Sequence, residues 1–174
     1  MAYTYEAIAT VTVGSGGASS IDFSSIPATY SDLAIKASLR STVSQTNDYG
    51  IIQFNGDTGS NYPWLQLAGN GASASSSGGT SNGALTLRYS SANATATTFG
   101  SDELYIPNYT DSTYKSISSD TVSENNGAAA SDAIASLWAG LWNNTAAITS
   151  ISLKPASGSF VQYSTATLYG IKNS

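Results

Sequence analysis

The chain has 174 residues, with 6 Lys and Arg against 11 Asp and Glu, a net charge of −5, and neither cysteine nor histidine. Missing cysteine excludes disulfides, thiolate metal sites and thiol nucleophiles; missing histidine excludes an imidazole base, an imidazole metal ligand and an ordinary side-chain titration between about pH 5 and 8. Charged residues are only 10% of the chain, so solubility falls to Ser, Thr, Asn and Gly, while 11 Tyr, 4 Phe and 3 Trp point to a packed domain rather than disorder.

The opening Met1-Ala2-Tyr3-Thr4-Tyr5-Glu6 has no basic or apolar stretch of the kind a signal peptide needs, so none is expected. Tyr5, Ala7, Ala9, Val11 and Val13 then alternate with other residues, which predicts a strand with those five on one face, ending at Gly14-Ser15-Gly16-Gly17. A short run at 21–23 follows. Over 32–40 the alternation is cleaner: Leu33, Ile35, Ala37 and Leu39 are expected inside, and Lys36, Ser38 and Arg40 in water. A strand over 49–54 meets Asn55-Gly56-Asp57, a dipeptide suited to a tight hairpin turn with positive φ.

Residues 64–68 are strand-like, but 69–83 is nearly all Gly, Ala, Ser, Thr and Asn and reads as a long surface loop with little apolar area to offset its ordering. Strands are expected over 85–89, 103–106 and 114–118, then a second poor stretch over 123–131. Ile134, Leu137, Trp138, Leu141 and Trp142 fit a helix face, which Ser131 and Asp132 could start. The same residues also alternate as a strand with Gly140 at a bulge or close contact, and the strand is favoured because glycine costs about 1 kcal/mol inside a helix. Strands over 148–153 and 165–171 flank the turn Lys154-Pro155-Ala156-Ser157-Gly158, and Pro27 and Pro107 stand beside strands, where a missing N–H is tolerated. Short strands separated by turn residues predict an all-β, antiparallel, jelly-roll-like β-sandwich, a single domain over 1–174 with long Gly/Ser-rich loops.

Six scattered cations, Lys36, Arg40, Arg88, Lys115, Lys154 and Lys172, make no basic stripe, so nucleic acid is not an expected partner. No apolar run approaches the roughly 20 residues of a membrane helix, so no membrane is expected either. Serines lack a histidine partner, and no Ser-x-x-Lys stands in a helical context. Paired carboxylates remain the one acid–base option. Asp102 and Glu103 are adjacent and would face opposite sides of a strand, while Asp48 and Asp57 bracket a strand and could meet only through the fold. Residues 55–61 are rich in oxygen ligands for a calcium ion but lack EF-hand spacing, and turn chemistry accounts for each of them. Asn93, Asn108 and Asn143 begin Asn-x-Thr sequons, which this composition produces by chance. No catalytic residue, cofactor or metal is therefore expected. The candidate interaction residues are Tyr62, Trp64, Trp138 and Trp142, either as a sugar-stacking platform or, the favoured alternative, as filler of the core or of a subunit interface. A sandwich with so little charge to guard its edges also points to an assembled state.

Several passages resemble a group of virion proteins from phages of cyanobacteria and other aquatic bacteria. They are Tyr5-Glu6-Ala7-Ile8-Ala9-Thr10, the run from Ile21-Asp22-Phe23 through Ile26-Pro27 to Asp32-Leu33, Phe54-Asn55-Gly56-Asp57-Thr58-Gly59-Ser60-Asn61-Tyr62, Ala146-Ala147-Ile148-Thr149-Ser150-Ile151 and Thr167-Leu168-Tyr169-Gly170-Ile171. The likeness touches about half the chain and has no counterpart at 69–83 or 123–131. It implies a non-enzymatic β-sandwich on the capsid exterior. The implied role is a head decoration (cement) protein that contacts the major capsid protein and itself, as a trimer. The alternative it implies is a tail-fibre or receptor-binding module recognising host surface glycans.

Overall fold

The computed structural model describes residues 4–127 and 133–172. Its elements are β1 (Thr4–Thr12), β2 (Ile21–Phe23), β3 (Asp32–Leu39), β4 (Asn47–Phe54), β5 (Tyr62–Gly69) and β6 (Ala74–Ser81). They continue with β7 (Ala84–Ser90), β8 (Gly100–Ile106), β9 (Lys115–Glu124), β10 (Ala133–Trp142), β11 (Ile151–Pro155) and β12 (Thr165–Lys172). One sheet runs β1-β12-β3-β8-β9-β10-β5-β6 and the other β2-β11-β4-β7, with antiparallel neighbours throughout. The fold is an all-β antiparallel sandwich, as the alternation predicts.

Two parts can be separated within it. The order β1-β12-β3-β8 in one layer and β2-β11-β4-β7 in the other is that of an eight-stranded jelly roll, in which the last two strands slot between the first and third and between the second and fourth. The remaining strands arrive as two insertions, β5–β6 between β4 and β7 and β9–β10 between β8 and β11. They join through the β5–β10 ladder and extend the first layer by four strands, a wing beyond the roll.

The roll carries the core. Leu33, Ile35, Leu39, Leu104, Ile106 and Leu168 on one layer meet Ile21, Phe23, Ile52, Phe54, Leu87, Ile151 and Leu153 on the other. Each such side chain contributes about 1.5–3 kcal/mol on leaving water.

The structure differs from the sequence reading in five places. In β1 the register shifts between Ala7 and Ala9; this bulge turns Ile8, Val11 and Val13 inward and leaves Tyr5 exposed, so the five-residue face is broken. Arg40 is buried rather than wet. Asn55 and Gly56 do take positive φ, 52° and 69°, and Asp57 N–H bonds Phe54 O at 2.9 Å. That turn closes no hairpin, however, because β4 and β5 belong to different sheets. The expected loop over 69–83 contains β6: the free edge of β5 supplies the hydrogen-bond partners that its side chains cannot replace, and all of it but Ser81 is exposed. The stretch 123–131 begins inside β9, and residues 128–131, with the helix start at Ser131 and Asp132, lie outside the described residues. The tryptophan segment itself is strand β10. Its Gly140 lies so close under β7 that a Cβ there would stand 3.1 Å from Ala84 and 3.2 Å from Thr86, which is the close contact the sequence reading allowed for.

Candidate interaction surface

The wing has two faces of different character. Directly paired residues share a face, so the ladders fix its outer surface row by row. Val122, Ala135, Gly69 and Ala74 form one row across β9, β10, β5 and β6. Asp120, Leu137, Leu67 and Ser76 form the next, and Ser118, Ala139, Leu65 and Gly78 the third. Leu65, Leu67, Leu137 and Val122 expose 53%, 54%, 57% and 45% of their surface. The small row makes the floor of a trough of about 540 Å³ walled by Leu67, Leu137 and Val122. Toward β8 the face turns polar: Glu103, paired with Asp120 across the ladder, holds Lys36 at 3.2 Å, and beyond it Thr10–Thr167 and Thr12–Thr165 exchange hydroxyl bonds at 3.0 and 2.6 Å.

The inner face gathers the aromatic candidates. Tyr62 and Trp142 are fully buried in the core, their rings stacked at 6.4 Å with 14° between planes, and Phe54 packs 5.5 Å from Trp142. Burial pushes the Tyr62 phenol up to about 12. Trp138 is also buried, between Trp64 at 5.9 Å and Tyr49 at 6.0 Å, and its indole N–H donates to Thr121 at 3.2 Å. Trp64 alone of the four is only partly buried. The four residues thus lie on one face of β5 and β10 but do not make an exposed platform; three of them fill the interior.

The loop that follows β4 is tied to the same cluster. Asp57 accepts from Trp142 Nε1 at 2.8 Å, from Gly59 N at 2.8 Å and from Asn61 Nδ2 at 3.0 Å, and these donors hold its carboxyl below the usual range. Asn55 Oδ1 accepts from Thr149 N at 2.8 Å and Ser150 N at 3.1 Å, and its Nδ2 donates to Ala147 O at 2.8 Å. N–H donors therefore point at the oxygens a cation would use. Among the described residues no group of three or more acidic side chains stands together as a metal site.

The carboxylates considered for acid–base work are scattered. Asp48 lies at the start of β4, accepting from Ser41 Oγ at 2.9 Å, and Asp57 lies past its end, a strand of eight residues and roughly 25 Å away. Glu103 is in solvent with Lys36, whereas Asp102 points inward, as adjacent strand residues must. Asp102 Oδ1 accepts from Arg88 N at 3.0 Å, its Oδ2 has no partner among the described residues, and burial raises its pKa well above the ordinary value. No two of these carboxylates face a common cleft.

Two cations are internal ties. The Arg40 guanidinium donates to the carbonyls of Thr95 and Thr98 at 2.9 Å, Ala94 at 3.0 Å and Ala92 at 3.4 Å. Lys115 Nζ donates to Asp111 O at 2.6 Å and to Thr113 O and Thr145 O, and burial lowers its pKa.

Sequence reasoning missed Leu65, Leu67, Leu137 and Val122 as exposed. The signal was present in β10: Leu137 and Ala139 alternate with Trp138 and Gly140, so the strand is apolar on both faces, a pattern of strands covered on both sides. Here the described residues cover only the inner side. No helix among the described residues is long and apolar enough to cross a membrane. No family model, curated protein or solved structure matches the chain.

Proposed function

We propose that the chain is a non-enzymatic bacteriophage structural protein, a head decoration or cement protein that binds the outer capsid surface and stabilises the shell. The observation that carries this reading is the wing's outer face, where four large apolar side chains stand about half in solvent in three rows that carry one charged residue, Asp120. Contiguous apolar area of that kind on a soluble chain marks a protein contact. The jelly roll is an architecture that virion domains use, which supports the reading by analogy. Most of the residues that resemble virion proteins fall on this roll, in β1, β2, β3 and β12 and in the turn after β4.

The mechanism is mass action. A protein that binds only the assembled shell stabilises it by about 4 kcal/mol per site at a thousandfold excess over Kd. The test is to strip the protein from purified particles, add it back, and measure the temperature at which shells release their contents. Stripped shells that open earlier and regain their resistance on re-addition support the proposal; shells indifferent to both treatments overturn it.

A glycan-recognising fibre module is the second reading. Its structural support is Trp64, which borders a shallow trough with Pro63, Leu65, Ala139, Gly140 and Leu141.

A further inference from the structure

We infer that the outer face of the wing is covered by a second copy of this chain, related by a twofold axis that runs parallel to the strands, midway between β10 and β5. The inference rests on the reading of this protein as one that works by contact; it gives the contact on this face to a second copy, so that the pair meets a shell through its other surfaces.

The argument is one of self-complementarity. A rotation about such an axis keeps each row of the sheet at its own height and lays β10 over the partner's β5 and β9 over the partner's β6. The printed registers then set large side chains against small ones. Val122 falls over Ala74 of the partner subunit, Leu65 over the partner's Ala139, and Ser118 over the partner's Gly78, while Leu137 meets Leu67 of the partner subunit beside the axis. The trough above Ala74, Gly69 and Ala135 receives the partner's Val122. Two sheets packed face to face stand about 10 Å apart, the distance such interdigitation needs.

The polar groups match as well. In the middle row Asp120 falls over the partner's Ser76. Among the described residues neither Asp120 nor Ser76 has a side-chain partner, although other side chains nearby do, such as Ser77 with Gln66. Across the axis the Ser76 hydroxyl donates to the Asp120 carboxylate, and symmetry supplies the bond twice. The two Asp120 carboxylates lie about three strand spacings apart sideways and a sheet spacing apart in depth, roughly 17 Å, beyond the ~8 Å range of unscreened repulsion.

The three rows span four strands by five residues, about 19 Å by 17 Å, or roughly 320 Å² of flat area, which puts the pair at the small end of specific interfaces and in the micromolar range of the test below. The footprint has a natural border, because the face becomes hydroxyl-lined and ion-paired at β8 and beyond. A twofold pair is also distinct from the trimer that the resemblance implies.

The test is sedimentation equilibrium of the intact chain at micromolar concentrations, with circular dichroism confirming that each variant folds. A mass of twice 17.8 kDa is expected, falling to 17.8 kDa for Leu137→Asp. Because Asp120 and Ser76 sit on β9 and β6, three strands apart in one chain, any coupling between them must cross the interface. Ser76→Ala should raise Kd about tenfold, Asp120→Ala likewise, and the double variant little further. Ser76→Lys should tighten the dimer with Asp120 present and not with Asp120→Ala. A monomer, a trimer, or a dimer indifferent to Leu137→Asp would overturn the inference, as would additive effects at Asp120 and Ser76. If the chain is monomeric in solution yet still restores stripped shells, only the twofold pairing falls and the capsid reading stands.

Discussion

Arg40 offers the sharpest test of how the fold is held. Alternation along β3 assigns it to water, yet it is 8% exposed and its guanidinium is surrounded by backbone oxygens of the loop between β7 and β8. Replacing it by Met keeps the stem's volume and removes the donors. The Ala94 carbonyl, whose bond is fully buried, then loses its partner at about 1–3 kcal/mol. The Ala92, Thr95 and Thr98 carbonyls are only partly buried and can recruit water, so each adds about 0.5–1 kcal/mol. The total is about 2.5–6 kcal/mol. With a urea slope near 2 kcal/mol/M for a chain of this size, the midpoint should fall by about 1.3–3 M. Arg40→Lys retains the charge but brings three donors from one point, and about half the loss should remain. Amide exchange over residues 92–98 should accelerate in both variants. A midpoint within about 0.5 M of the parent for Arg40→Met would refute the reasoning.

Asp102 should make stability fall as pH rises. Its pKa is raised in the fold, so its contribution is fully present below the unfolded value of 3.8 and is lost as pH climbs through the folded value. Asp102→Asn should flatten that slope in urea midpoints taken from pH 4 upward, and an unchanged slope would remove the carboxyl from the account. Asp57 works in the opposite sense: its pKa is depressed, so its contribution is present above 3.8 and lost as pH falls through the folded value. Asp57→Asn should cost about 1 kcal/mol at neutral pH, limited by solvent access, and should make the acid limb shallower in the same titration. Lys115→Met strands the carbonyls of Asp111, Thr113 and Thr145 and should lower stability by about 2–4 kcal/mol by thermal or urea melt; a neutral result would mean that water satisfies them.

The roll was legible because its inner face is one-sided. Leu33, Ile35, Ala37 and Leu39 recur at every second position with the smaller or polar Ala34, Lys36 and Ser38 between them, which fixes both strand and facing. The wing was less so. Strand β6 has no apolar pattern, since its identity as a strand comes from the edge of β5 and not from its own side chains. Arg40 was misplaced because alternation counts only parity along a strand, and a loop arriving from β7–β8 covers a position that parity leaves outside. The bulge in β1 is invisible to parity for a related reason: one inserted residue inverts the rule partway along. Aromatic residues announced themselves, but composition could not separate a ring inside the interior, such as Trp142, from one at its border, such as Trp64.

The central claim, that this is a structural component of a virion exterior, is tested most directly by counting copies of the chain per purified particle against the major capsid protein, using quantitative mass spectrometry. The account predicts hundreds of copies per particle, in fixed proportion to the shell. A count of a few to a few dozen, or none, would contradict it.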